Sequence, residues 1–212
     1  LTGIQISAEL LSSHAAKMDF NQRISEIDKI KERVNDLTML MNDFSMQSSI
    51  DSMGEYHNPT IVNFKELVKM LTSDVDNFVL GKSQTLRFII APQLPSVIAD
   101  ERMLRKAISN IILNASKYSA KEKEILVSFD VHGTDDVIIV IADNGIGIPN
   151  DEIKNLFTPF SRASNVGSQP GIGLGLSISK NIIEFHGGSI HVDSTVNVGS
   201  IFTVTLPVTP VA

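Results

Sequence analysis

The stretch DNGIGIPNDEIKNLFTPF, Asp143 to Phe160, follows an apolar run, Val137 to Ala142, with the length and composition of a buried strand. A carboxylate therefore stands at the mouth of a strand, and the glycines at 145 and 147 strip the side chains beside it. Such an acid can accept a hydrogen bond from an exocyclic amine such as adenine N6, provided its neighbours leave room for a flat ring. A tight turn also accounts for the glycines, because Asn-Gly is a strong turn pair. A calcium loop does not, since the twelfth position counted from Asp143 is Lys154 and not glutamate.

A second glycine cluster follows closely. GIGLGL, Gly171 to Leu176, places glycines at 171, 173 and 175 ahead of an apolar helix expected over Gly173 to Phe185. Free N–H groups at a helix start attract anions. The spacing G-x-G-x-G is not the dinucleotide fingerprint, and Gly81-Lys82-Ser83 is not a Walker loop, because Asp76 stands where its first glycine is needed. Upstream, Asp100 to Lys117 reads as a helix capped by Asp100, with an apolar face through Met103, Leu104, Ala107, Ile108, Ile111 and Ile112. Asn110 and Asn114 share another face, with Lys117 and Tyr118 one turn further on. Amides and an ammonium on one helix face suit a magnesium-bound polyphosphate, whose phosphates and waters complete the metal's octahedron. A solvated polar face is the plain alternative for these residues.

The rest of the chain sets the frame. Its 212 residues are 42% hydrophobic, enough for a sizeable core, and no run of eighteen apolar residues would span a membrane. A net charge of -6 without a basic run argues against nucleic acid as a partner. The absence of cysteine excludes disulfides, thiolate metal sites and cysteine catalysis. Residues 1–53 contain no proline, and Ile27, Ile30, Val34, Leu37, Met41 and Phe44 form a heptad seam. A shorter seam, Leu1, Ile4, Ala8 and Leu11, precedes a turn within Ser12 to Asn21, with Asp19 or Asn21 as the cap of the next helix. Two antiparallel helices bury two apolar stripes poorly alone, so a homodimer forming a four-helix bundle is expected; the plain alternative is a hairpin of one chain packed on the following domain. Residues 54–60 read as a linker.

Residues 61–212 mix both element types. Strands are expected over Ile61 to Phe64, Thr85 to Ala91, Glu124 to Val131, Val137 to Ala142, Ser189 to Asp193 and Ser200 to Leu206. Helices are expected over Phe64 to Leu80 and Asp151 to Leu156, besides the two already placed. Strands and helices without strict alternation imply an α+β two-layer sandwich, helices on one face of a mixed sheet.

The order of the motifs is more specific than any one of them, and it is here that residues 61–206 resemble the ATP-binding domain of sensor histidine kinases. That domain belongs to a superfamily with gyrase, a mismatch-repair ATPase and a heat-shock chaperone. NIILNASKY, Asn110 to Tyr118, is similar to the N box, and DNGIGI, Asp143 to Ile148, to the first glycine box. FTPF, Phe157 to Phe160, is similar to the F box, and GIGLGL to the second glycine box. The ending through His186-Gly187-Gly188 and Phe202 to Pro207 resembles the kinases more than the other branches.

The resemblance implies ATP and Mg²⁺ as cofactors and a set of roles. Asp143 would hold adenine N6, with Gly145, Gly147 and Ile148 beside it. Asn114 would be the metal ligand and Asn110 would support phosphates or metal. Lys117 and Tyr118 would meet phosphate or ribose. Gly171, Gly173, Leu174, Gly175 and Leu176 would line the phosphate end, below a lid at Ser161 to Pro170 whose Arg162 reaches the terminal phosphate. Thr203 would stand behind the adenine. Related ATPases carry an acid at position 110; an amide cannot take a proton, so fast ATP hydrolysis is not expected.

The amino-terminal helices resemble the dimerisation and phosphotransfer hairpin just after its H box. No histidine here has the neighbouring acid that box requires: His14, His57, His132, His186 and His191 are followed by Ala15, Asn58, Gly133, Gly187 and Val192. His186 is expected to end a helix and the others to lie at the surface. The resemblance thus implies a phosphoacceptor histidine upstream of Leu1, a response-regulator receiver domain as partner, and a cytoplasmic place for these residues, whether the intact protein is soluble or anchored. The competing expectations are a dimeric nucleotide-binding scaffold without autophosphorylation, and an ATPase of the chaperone or gyrase kind.

Overall fold

The computed structural model describes residues 2–14, 17–48, 57–133, 136–167, 169 and 171–208. The chain divides into two compact units, Leu1–Ser48 and Ser49–Ala212.

The first unit is a helical hairpin of α1, Thr2–His14, and α2, Phe20–Ser48. Asp19 is the cap. Its carboxylate accepts from Gln22 N at 2.8 Å while Gln22 Oε1 accepts from Asp19 N at 3.0 Å, a reciprocal capping box. Between the helices, Ser7 and Glu26 are buried. The hydrogen bonds from Lys29 and then Ser7 hold the Glu26 carboxyl below its ordinary pKa. Much of the expected seam faces outward: Ile27 is 37% exposed, Val34 45% and Met41 74%. The side chains of Leu37 and Phe44, like the residue Leu1, fall outside the described residues.

The second unit is built on a five-stranded sheet in the order β2-β4-β5-β7-β6. The strands are β2, Thr85–Ile90; β4, Glu124–His132; β5, Asp136–Asp143; β6, Ser189–Thr195; and β7, Gly199–Pro207. β2 runs parallel to β4 and every other pair is antiparallel, so the sheet is mixed. Three helices cover one face: α3, Phe64–Gly81; α4, Glu101–Tyr118; and α5, Gly175–Phe185. The alternation in β5 and β7 sends Val137, Ile139, Ile141, Phe202, Val204 and Leu206 to the helix side, where all are buried. They meet Leu104, Ile108 and Ile111 of α4 and Ile178 and Ile182 of α5, all buried. Each such side chain contributes about 1.5–3 kcal/mol of apolar burial.

Three local expectations change. The strand expected over Ile61 to Phe64 is β1, Thr60–Ile61, paired antiparallel with β3, Ile98–Ala99. It stops early because Asn63 caps α3, accepting from Lys65 N at 3.2 Å and Glu66 N at 3.3 Å. The helix expected over Asp151 to Leu156 is one 3₁₀ turn, Ile153–Asn155. The helix expected from Gly173 starts at Gly175 instead, because Gly173 is left-handed at φ 81°.

Candidate nucleotide site

The candidate site forms where α4, the end of β5, and the loop before α5 come together. Asp100 starts α4 by accepting from Arg102 N at 3.0 Å and Met103 N at 3.3 Å. From that start, helical spacing carries Asn110, Asn114 and Lys117 along one flank. Asn110 is buried, and its Nδ2 donates to Gly175 O at 3.2 Å, tying the second glycine cluster to α4. Ser179 adds a second tie, its hydroxyl reaching Ala107 O and Gly175 O, each at 2.9 Å. Asn114 is half-buried, and its side chain makes no hydrogen bond among the described residues, so its amide oxygen is available. Lys117 Nζ stands 4.9 Å over the Tyr118 ring and touches the place a β-carbon on Gly171 would take.

Asp143 ends β5 with the parity of Val137, Ile139 and Ile141, the helix side of the sheet. Gly145 N donates to its Oδ1 at 2.8 Å, and Ser200 adds backbone and side-chain hydrogen bonds. Burial pushes the carboxyl up from its ordinary pKa, and those donors oppose the shift only in part. The carboxylate is thus fixed and half-buried, an acceptor for a polar hydrogen. A β-carbon at Gly145 would lie 2.7 Å from both Asp143 Oδ1 and Tyr118 O, so only glycine lets the turn pack there. Gly147 has a different reason: at φ 65° its missing β-carbon would collide with Thr195 O of the β6–β7 hairpin. Ile148 N donates to Ser194 Oγ at 2.9 Å, anchoring the turn to the same hairpin.

The residues expected from sequence do not all converge. Asn110 meets Gly175, Lys117 Nζ meets Gly171, and Tyr118 O and Asp143 Oδ1 both meet Gly145, so α4 touches both glycine turns; Leu174 is buried and Leu176 half-buried within α5. Arg162 is held by its own loop, donating to Gln169 O at 2.6 Å. Thr203 is a correction: it pairs with Val140 and His191, and its side chain lies on the sheet face away from the helices. Ser200 takes the position behind Asp143, directly across the ladder. The sequence held a signal for this, because Ser200 shares the parity of the apolar residues 202, 204 and 206, and Thr203 does not. His57 is a second correction. It is not a surface residue but packs edge-on to Phe185 and His186, at 4.9 and 5.5 Å between ring centroids, with its Nε2 buried.

Mg²⁺ and ATP fit these residues. Among the described residues no cluster of three or more acidic or imidazole groups could hold a metal alone. A neutral amide at Asn114 is the donor expected when the metal brings most of its ligands with a polyphosphate. Ser119 Oγ, buried and unpartnered next to Tyr118, leaves a further polar atom at the rim.

Helices over one face of a mixed sheet, with two glycine turns packed on α4, define a two-layer α+β sandwich. Residues 99–210 match the family described as histidine kinase-, DNA gyrase B-, and HSP90-like ATPases, and the chain belongs to that family. Among curated proteins it is similar to the adaptive-response sensory kinase SasA of Gloeothece citriformis (strain PCC 7424), 42% identical over 127 residues, covering 60% of this chain and 32% of the relative. It is also similar to the sensor histidine kinase WalK of Bacillus subtilis (strain 168), 32% identical over 175 residues, 79% of this chain and 28% of WalK. The chain spans about a third to a half of the length of the SasA relatives it matches. Among solved structures, the Acinetobacter baumannii histidine kinase AdeS shares the fold with TM-score 0.73 at 22% identity, over 99% of this chain and 95% of AdeS. The mycobacterial sensor histidine kinase MprB matches 73% of this chain and 99% of its own, with TM-score 0.60 and 27% identity.

Proposed function

We propose that this chain is the ATP-binding core, with part of the helical dimerisation hairpin, of a two-component sensor histidine kinase. The observation that carries the reading is Asp143, fixed and half-buried at a glycine turn that packs on the end of α4, the helix that carries Asn110, Asn114 and Lys117. In this reading residues 1–53 are the hairpin, 54–60 the linker and 61–212 the catalytic domain.

Asp143 accepts from adenine N6, with Gly145 giving the ring its room and Ser200 holding the carboxylate from behind. Asn114 would hold Mg²⁺, which would supply neutralisation of the phosphate charge. Lys117 pairs with a phosphate, and Tyr118 flanks the ribose or phosphate. Gly171, Gly173 and Gly175 bring backbone close to the phosphates. Arg162 leaves its own lid loop to meet the terminal phosphate once nucleotide is present. Catalysis is then positioning and charge neutralisation, as in phosphoryl transfer generally. The γ-phosphoryl passes to a histidine in another stretch of the intact protein, and from there to an aspartate of a receiver domain. The Asn110 amide cannot take a proton from water and already donates to Gly175 O, so water is not activated and turnover without an acceptor is slow.

The outward apolar side chains of the hairpin, Ile27, Val34 and Met41 among them, support a homodimer through a four-helix bundle. No helix among the described residues is long and apolar enough to cross a membrane. Titration calorimetry of this chain with Mg-ATP and Mg-GTP tests the reading. Micromolar to submillimolar adenine binding with guanine excluded is expected. Equal affinity for both, or none for either, would end it.

A further inference from the structure

Lys82 ends α3, and Gln84 begins the approach to β2, far in sequence from every nucleotide motif. Both nevertheless reach the last turn of α4. The Lys82 ammonium donates to Ser116 O at 2.8 Å, Lys117 O at 2.7 Å and Ser119 O at 3.1 Å, so its three N–H bonds are all used. Gln84 Nε2 donates to Ser116 O at 3.0 Å, Ser119 O at 3.3 Å and Ala120 O at 2.9 Å. Its Oε1 accepts from Ser116 Oγ at 2.6 Å.

The last carbonyls of a helix have no partner within it, and a cation there also meets the negative end of the helix dipole. Here two side chains take the carbonyls of 116, 117, 119 and 120 and leave that of Tyr118. Tyr118 O instead accepts from Ile146 N at 3.2 Å, and Ser119 bridges to Gly145. The pattern fixes the rotation of the turn, because a turn rotated by one residue would present a different carbonyl to the Asp143 loop. That rotation sends Lys117 Nζ to Gly171. Lys82 is half-buried, and burial first, then the nearby Lys117 charge, lower its pKa.

We propose that Lys82, seconded by Gln84, is a positioning residue for the polyphosphate end of the nucleotide, holding Lys117 and the Tyr118 carbonyl in their working places from behind the helix. This rests on the nucleotide reading given above. Lys82 touches no nucleotide. It acts through the backbone of α4, so its loss frees the end that carries Lys117, while Asp143 keeps its own ties to Gly145 and Ser200.

The test uses the full chain and an NMR titration with Mg-ATP and, separately, with adenosine. Lys82→Met keeps the stem and removes the donors. It is expected to weaken Mg-ATP at least tenfold and adenosine less than threefold, and to speed hydrogen exchange of the Ile146 amide while amides in the first two turns of α4 hold. Lys82→Arg, which keeps the cation, is expected to restore Mg-ATP to within threefold. Should Lys82→Met not fold, Lys82→Gln, which keeps two N–H donors without charge, is expected to lose at least threefold for Mg-ATP alone. Unchanged Mg-ATP affinity, or equal loss for both ligands, in a folded variant would overturn the proposal. Wild-type protein that binds neither ligand would overturn the nucleotide reading itself, without any variant being needed.

Discussion

Replacing Asp143 by asparagine separates binding from stability at one atom. The carboxylate accepts from Gly145 N at 2.8 Å and from Ser200, and burial pushes its pKa up. A carboxyl whose folded pKa lies above the unfolded one, near 3.8, binds its proton more tightly in the folded state. Stability is then greatest below the unfolded pKa and falls as pH rises through the folded one, so at neutral pH the ionised group costs stability. Asparagine carries no charge to bury, and its amide oxygen still accepts from Gly145 N. The melting temperature of the nucleotide-free variant is therefore expected to equal or exceed that of the wild type at pH 7, with the difference closing towards pH 4. Binding moves the opposite way. With the amide oxygen held by Gly145, the NH₂ group faces adenine N6, donor against donor. Losing a hydrogen bond to a charged acceptor costs about 1.5–3 kcal/mol, a factor of roughly 10 to 150 in affinity. Inosine nucleotides present an acceptor at the same position and are expected to lose much less. Calorimetric titration of Mg-ADP and Mg-IDP against both proteins measures the two effects. An ADP affinity within threefold of wild type, or equal losses for ADP and IDP, would refute the adenine role.

The remaining predictions follow from single contacts. Gly145→Ala puts a β-carbon 2.7 Å from Asp143 Oδ1 and Tyr118 O, and overpacking of this kind costs about 1–3 kcal/mol; thermal melts should show it, together with loss of Mg-ADP binding. Asn110→Asp sets a carboxylate against Gly175 O in place of the 3.2 Å donor; an unfolding curve should show a loss of about 1–3 kcal/mol, and absence of loss would refute the tie to α5. His186 accepts from Asp100 N at 3.0 Å, and burial first, then the nearby His57, lower its pKa from 6.5. The folded protein therefore releases a proton that the unfolded chain holds, and denaturant unfolding should lose stability as pH falls from about 6.5, with His186→Gln flattening that slope. Ile27→Glu and Val34→Glu together should shift the chain from dimer towards monomer in sedimentation, leaving Mg-ADP affinity within threefold.

Much of what places the candidate site in the fold could be read from the chain alone, because its signals are local. The box order depends only on neighbours in sequence, and so do the Asp100 cap and the i, i+4 placement of Asn110 and Asn114. The continuous apolar run Val137 to Ala142 likewise marked β5 as a buried strand. The α+β class followed from the same patterns. What the sequence left open involved partners brought from far away. Thr203 and Ser200 are both small hydroxyl residues on one strand, and only the pairing of Asp143 with Ser200 decides which stands behind the acid. Lys82, which carries no motif, has meaning only because the end of α3 lies against the end of α4. His57 lies among rings contributed from the far end of α5. Periodicity and capping are written in short-range sterics and hydrogen bonding, so a single sequence displays them. Register across a ladder and the choice among competing carbonyls are settled by the packing of the whole domain, and only the folded chain contains that information.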